Sequence, residues 1–251
     1  MSSTLRSNAH WSTRPNRSSS TLQRSPGALR ARAYDRTSTT ADVACRALNV
    51  VVALIGILIT VPLMVIVAVL VRLDSKGPVI YQQQRVGLDR RGSRGLNRRE
   101  RRRAENFGGR VFTIYKFRTM TVAQSGEERW ATRNDARITR LGRVLRATRI
   151  DELPQLFNVL RGDMNIVGPR PEQPGIFQDL RDEVRGYSRR QKVLPGITGL
   201  AQVNLGYDTS IEDVRRKVEL DLEYIKERSA IQDLLIMAKT VPVMLFRKVW
   251  M

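Results

Sequence analysis

Two adjacent carboxylates, Asp151 and Glu152, lie in the stretch of this chain best supplied for chemistry, residues 146–171, RATRIDELPQLFNVLRGDMNIVGPRP. Arg146 and Arg149 precede them, and Leu153, Leu156, Phe157 and Leu160 follow at the spacing of one buried helical stripe. That pattern places Asp151 at the helix N-cap, with Pro154 in the first turn and Gly162 ending the helix. An aspartate between two cations and a helix dipole is expected to be held ionised, and an ionised, desolvatable carboxylate can act as a nucleophile. Glu152 would add hard oxygens suited to Mg²⁺. A plainer reading stands beside this one, with Asp151 a cap and Glu152 a first-turn acid. The residues alone leave both open.

Elimination sharpens the first reading. The one histidine, His10, lies in a polar tail, and the one cysteine is Cys45. An imidazole base, a Cys–His pair, an internal disulfide and a Cys-based zinc site are therefore excluded. No GxxxxGK[ST] or GxGxxG segment occurs, so the usual ATPase and dinucleotide readings lose their support. Carboxylates, lysine, arginine and a hard metal remain.

Further cations are placed where phosphate could meet them. Residues 111–120, VFTIYKFRTM, alternate as a strand, with Phe112, Ile114, Lys116 and Arg118 on one face. Lys116 and Arg118 form a phosphate contact on one reading and a solvated strand end on the other. Arg170 sits between Pro169 and Pro171, on a stiff loop suited to bidentate phosphate binding or simply to a rigid turn. Asp221 falls on an apolar stripe with Val214, Val218 and Ile225, behind a capping box read at Thr209 and Glu212. A carboxylate there needs a cation or metal, so Asp221 is either a site residue or half of a structural ion pair.

The positioning elements are short and mixed. A strand is expected at residues 79–82, a buried strand at 165–167, a stiff turn at 195–199 and a strand-like LAQVN after it. Residues 229–250 open with Ser229 and Gln232 as a capping pair and continue as an apolar helix with a basic, aromatic end, which suits a membrane interface. Together these predict a small mixed α/β (α+β) domain over residues 76–251.

Charge says where this domain works. The formal charge is +20, with eight Lys/Arg against two acids in residues 1–46 and twelve against four in residues 72–110. Between those blocks, residues 47–71 carry no charge and are long enough as a helix to cross a hydrocarbon core of roughly 30 Å. Both flanks are positive, and both therefore favour the cytoplasmic side. With Pro62 near the middle, a helix–break–helix that enters and leaves on one face competes evenly with a simple crossing. Residues 1–42 read as a disordered basic tail, attracted at most weakly to anionic lipid. The Arg-rich run at 90–110 reads as a solvated or lipid-facing loop, because it lacks the interleaved aromatics of a nucleic-acid platform.

The blocks IYKFRTM, DELPQLFNVLRGDMNIVGPRPE and PGITGLAQVN, in that order behind a proline-containing apolar segment, resemble the bacterial sugar transferases over about residues 45–246. These are the monotopic phosphoglycosyl transferases that begin exopolysaccharide and glycoconjugate assembly at the bacterial inner membrane. The resemblance implies a re-entrant helix over residues 43–75 bent near Pro62, interfacial helices and a catalytic domain on the cytoplasmic face. It implies Asp151 as nucleophile, Glu152 with Asp151 at Mg²⁺, and Arg146 and Arg170 near phosphate; Lys116, Arg118 and Arg149, read from the residues themselves, are candidates for the same phosphate site. A UDP-sugar donor, an undecaprenyl phosphate acceptor and UMP as leaving product follow from the same likeness. Three features depart from the family's pattern. Leu205-Gly206-Tyr207-Asp208 stands where many members have Gly-Arg, the 90–110 run resembles an insertion, and the multi-helix domain of larger members has no counterpart, which suggests a minimal version.

Overall fold

The apolar segment forms one long helix, α1 (Thr39–Asp74), of 36 residues and so about 54 Å. Helical geometry continues through Pro62. No interruption of helical geometry marks the expected break; the proline removes the bond that would reach the Leu58 carbonyl. Leu58 and Ile59 are 79% and 70% exposed, while Cys45, Asn49, Ala53, Val67 and Val71 are buried along one face. A helix so apolar and so bare on its outer side is long enough to cross a membrane.

The structure, a computed structural model, describes residues 39–89, 109–121, 135–206 and 210–246. Most of the basic tail and of the Arg-rich run lie outside the described residues. The chain divides at residue 36, and everything described belongs to the second unit.

After α1 come β1 (Ile80–Val86) and β2 (Val111–Phe117), which pair antiparallel with Arg85 opposite Phe112 and Tyr81 opposite Lys116. Helix α2 (Arg140–Ala147) leads through a 3₁₀ turn (Ile150–Glu152) into α3 (Gln155–Arg161). Strand β3 (Asn165–Val167) follows, then α4 (Pro174–Glu183), a second 3₁₀ turn (Tyr187–Lys192) and β4 (Gly196–Thr198), which pairs parallel with β3. The remaining helices are α5 (Leu200–Asn204), α6 (Ile211–Glu227) and α7 (Ala230–Phe246). Two small sheets among helices match the mixed fold expected.

Apolar side chains join these pieces to α1. Phe112 and Ile114 of β2 pack with Ala53 of α1, Leu156 and Val159 of α3, and Met164. Phe117, on the far end of the same strand, packs with Val67, Val71 and Leu145. Polar fastenings lie near both ends of the helix. Arg46 donates to the carbonyls of Met164 and Val159 and to Asn165 Oδ1, and Arg118 donates to Val71 O, Ser75 O, Ser75 Oγ and Lys76 O.

Four local expectations need correction. Asp151 does not cap α3: it lies in the 3₁₀ turn, and Pro154 occupies the cap position. On α3 Phe157 is 47% exposed, and Asn158 is buried in its place, bridging Tyr115 N and Thr113 O of β2. LAQVN is helix α5 and not a strand; the strand is the preceding GIT, and extended Gly199 lies so close to Gly168 O that a Cβ would come within 2.3 Å of it. The capping box of α6 is Ser210 with Asp213, one residue later than read. The Ser229 cap on α7 holds, with Gln232 N donating to Ser229 Oγ at 3.2 Å.

Candidate active site

Glu152 is the focus of the site. Its Oε1 accepts from Lys116 Nζ at 3.0 Å and Arg170 Nη2 at 3.0 Å, and pairs with Arg149 Nη1 at 3.5 Å. Each cation arrives from a different element. Alternation on β2 carries Lys116 out of the core face begun by Phe112 and Ile114. Gly168 and Pro169 deliver Arg170 from the end of β3, with no room at Gly168 for a Cβ, which would sit 2.4 Å from Leu194 O. Arg149 holds φ 59°, the left-handed region, and is the one non-glycine residue with positive φ among those described. Such a conformation costs about 1 kcal/mol or more and concentrates at functional sites. Here it turns the chain from α2 into the 3₁₀ turn that carries the two acids.

The two carboxylates are both buried yet are shifted in opposite directions. Burial opposes ionisation of Glu152, but Lys116, Arg170 and Arg149 together hold its carboxyl well below the usual range. Asp151 has the opposite balance: burial and the neighbouring Glu152 charge push it up to about 6, against the weaker pull of Lys116, Arg149 and Arg146. Glu152 takes most of the pull of these cations, so Asp151 is not held below the usual carboxylate range; with a value of about 6 it is still mostly ionised at neutral pH, as a nucleophile must be. Asp151 Oδ1 is buried with no hydrogen-bond partner among the described residues. An unpartnered carboxylate oxygen beside a second acid suits Mg²⁺, which takes one or two protein carboxylates and completes its shell with phosphate and water. Among the described residues no cluster of three or more His, Cys, Asp or Glu offers a fuller cage. Any Mg²⁺ held here would depend on a phosphorylated ligand.

Lys116, Arg149 and Arg170 thus join the acids. Arg146 lies at their margin, with its Nε on Thr119 Oγ1 at 2.8 Å and its charge acting on Asp151. Arg118 does not join: its Nη1 and Nη2 donate to the end of α1 and to the residues just after it. Asp221 stands behind the site, accepting from Arg190 Nε at 2.7 Å, while Arg190 Nη2 holds Arg170 O at 3.1 Å. Of its two readings, the ion pair is the one realised. Sequence reasoning missed Arg85 of β1, which donates to Pro171 O at 3.0 Å, pairs with Glu172 at 3.5 Å and keeps its buried Nε without a partner among the described residues. Its strand, YQQQRV, has no apolar alternation to mark a working face, so no signal singled it out.

A cleft of about 200 Å³ opens beside the acids. Arg149, Glu152 and Arg170 line it together with Leu153, Leu156, Ile197, Val203 and Val243, so charge and hydrocarbon share one cavity. That combination suits a ligand with a phosphate head and an apolar chain.

The chain is similar to known proteins over most of its length. The model of the bacterial sugar transferase family matches residues 40–247. The chain is 43% identical over 199 residues to a UDP-N-acetylgalactosamine-undecaprenyl-phosphate N-acetylgalactosaminephosphotransferase of Aeromonas hydrophila, covering 78% of this chain and 42% of that protein. It is 39% identical over 207 residues to a UDP-glucose:undecaprenyl-phosphate glucose-1-phosphate transferase of Caulobacter vibrioides, covering 81% of this chain and 70% of that protein. With an exopolysaccharide production protein of Rhizobium leguminosarum it shares 34% identity over 212 residues, 78% of this chain and 92% of the other. The chain spans about two fifths of the length of the Aeromonas relative.

Proposed function

The chain belongs to the bacterial sugar transferase family, and on that premise we propose that it moves a sugar-1-phosphate from a UDP-sugar to a polyprenyl phosphate, undecaprenyl phosphate in the bacterial inner membrane. The observation that carries this reading is the convergence of Lys116, Arg149 and Arg170 on one oxygen of Glu152, beside a buried aspartate with an unpartnered oxygen. Three cations spread around a single small anion can re-aim at the oxygens of a diphosphate.

In the first half-reaction an ionised Asp151 oxygen attacks the sugar-linked phosphorus. The bond from that phosphorus to the bridging oxygen breaks, and UMP leaves with the electron pair. Lys116, Arg149 and Arg170 bind the phosphate oxygens as charge shifts towards the leaving group. In the second, a phosphate oxygen of the polyprenyl acceptor attacks the same phosphorus, and the Asp151 carboxylate is released. Asp151 and Glu152 would hold Mg²⁺, which supplies charge neutralisation on the diphosphate. The phosphate head of the acceptor fits the charged side of the cleft and its first isoprene units the aliphatic side. The product suits the opening step of exopolysaccharide or glycoconjugate synthesis.

A re-entrant α1 agrees with this chemistry. Its start is fastened to Met164 and Asn165 through Arg46, and its end to β2 through Arg118. Both ends therefore meet the same domain, which supports entry and exit on one face, the cytoplasmic one, with the bend near Pro62. The exposed Ile231, Leu234 and Leu235 of α7 supply a second apolar surface for the headgroup region, where anionic lipids would meet the basic flanks. The test is UMP release from a panel of UDP-sugars in the presence of polyprenyl phosphate. The reading requires release with at least one donor and its loss in Asp151→Asn; no release with any donor would overturn it.

A further inference from the structure

We propose that Asn49 is a positioning residue for Arg170: its side chain serves as the edge neighbour of β3 and ties the seating of α1 to the placement of the Gly168-Pro169-Arg170-Pro171 loop. The inference rests on the reading of Arg170 as a phosphate ligand. Asn49 is the one fully buried polar side chain of the uncharged helix segment 47–71. An amide there costs free energy unless all of its groups are paired. They are. Asn49 Oδ1 accepts from Ile166 N at 2.6 Å and Val167 N at 3.1 Å, and Nδ2 donates to Cys45 O at 2.6 Å and Asp233 Oδ2 at 2.8 Å.

The second oxygen of Asp233 accepts from Tyr224 OH at 2.7 Å, so α6 and α7 also meet at this point. Anchoring α1 would not need such a device, because Ala53 packs on Phe112 and Leu156 with apolar contact alone. What the amide adds is register. Strand β3 has β4 on one edge, with Gly168 N donating to Thr198 O at 2.9 Å, and Asn49 at the other. Only Gly168 and Pro169 separate Val167 from Arg170, and neither can absorb a shift. The glycine is hemmed in by Leu194 O and Gly196 N, and Pro169 has a fixed φ and lends its carbonyl to Gly196 N at 3.0 Å. A displacement of β3 is therefore passed on to the Arg170 guanidinium.

The test uses the full chain in lipid nanodiscs and the burst of UMP formed with UDP-sugar and no acceptor. Asn49→Asp keeps an acceptor for β3 but sets a carboxylate against Asp233, and it should slow the burst per folded molecule about tenfold or more. Asn49→Asp with Asp233→Asn reverses the donor and acceptor between these two side chains but leaves Cys45 O without its donor, so it should recover the rate in part, by about threefold or more over Asn49→Asp alone, a rescue that a loss of packing would not give. Arg170→Lys should cost a smaller factor in the Asn49→Asp background than in the wild type. Amide exchange across residues 164–172 should rise in Asn49→Asp and return in part in the double variant, a readout that holds whether or not the wild type releases UMP. Should Asn49→Asp fail to fold, Asn49→Ser carries the test, with a slower burst and faster exchange expected; Tyr224→Phe would not, because Tyr224 OH also donates to Val167 O of β3 at 3.3 Å. A wild-type burst and unchanged exchange in the folded variant, or an undiminished Arg170→Lys factor, overturns the proposal. Silence of the wild type with every donor counts instead against the proposed transfer, and the exchange result then decides the role of Asn49.

Discussion

Arg118→Ala is expected to unfasten the end of α1 while leaving the chemistry intact. The guanidinium is 6% exposed and donates to four acceptors at 2.6–3.2 Å: Val71 O, Ser75 O, Ser75 Oγ and Lys76 O. A hydrogen bond from a charged donor contributes roughly 1.5–3 kcal/mol, but the four share one group and overlap. The acceptors at the helix end can also turn to water in the variant. A net loss of about 3–4 kcal/mol is the reasonable figure, in line with removal of one side of a buried charged contact. For a domain of this size that lowers Tm by roughly 10 °C. Thermal unfolding in nanodiscs, followed by intrinsic fluorescence, reads the shift, and UMP release measured below both transitions reads the chemistry. Arg118→Lys keeps the charge without the fork and should fall between the wild type and Arg118→Ala. A variant with unchanged Tm and turnover lowered tenfold or more would refute the reasoning and return Arg118 to the phosphate site.

Other consequences follow from the same geometry. Lys116→Met removes a cation at 3.0 Å from Glu152 without opening a cavity, so kcat/KM should fall about a hundredfold at near-normal Tm; unaltered kinetics would remove Lys116 from the site. Arg170→Lys keeps charge but cannot grip phosphate bidentately, and should cost at least tenfold in UMP release in protein that still reaches the membrane. In Mg²⁺-free protein the Asp151 carboxyl should titrate near 6, seen as an infrared carbonyl band absent from Asp151→Asn, and added Mg²⁺ should lower that midpoint. The sign is that of a raised acid: the folded state binds this proton more tightly than the unfolded chain, so the ionised group costs stability at neutral pH and acidification through 6 relieves that cost while removing the nucleophile. For topology, Val43→Cys in a Cys45→Ala background offers an exposed thiol just before the apolar stretch; an impermeant maleimide should reach it only after permeabilisation, and labelling from outside would favour a crossing helix.

What the sequence disclosed was set by chemistry that is local in the chain. Lys116 was legible because alternation on β2 runs from core to site, and Arg170 because two prolines stiffen its loop. Asp151 and Glu152 stood out as adjacent acids among arginines, but the opposite shifts of their proton affinities were not legible. The cations that settle them come from β2 and from the end of β3, and burial, a property of the assembled fold, raises Asp151. Arg118 misled for the same reason: its strand phase is that of Lys116, yet its partners lie at the end of α1 and just beyond it, 42 to 47 residues away. Asp221 was legible as a buried charge without its partner, Arg190, which approaches from 31 residues off. LAQVN was read as strand-like, yet the strand is the preceding GIT, and the chain enters a helix at Leu200 directly after Gly199, which lies close against Gly168. Asn49 carried no local signal of its use, because a single asparagine in an apolar helix does not say which backbone it will pair.

The central claim is that Asp151 becomes covalently bonded to the transferred phosphorus. Intact-protein mass measurement on enzyme incubated with UDP-sugar and Mg²⁺, without acceptor and quenched rapidly, tests it most directly. The account predicts an adduct of one sugar-1-phosphate on Asp151, one UMP released per enzyme molecule, and discharge of the adduct when polyprenyl phosphate is added. Asp151→Asn should give neither adduct nor burst. UMP appearing only when acceptor is present, with no adduct at any quench time, would contradict the account and establish direct transfer, with Asp151 as a base or a metal ligand.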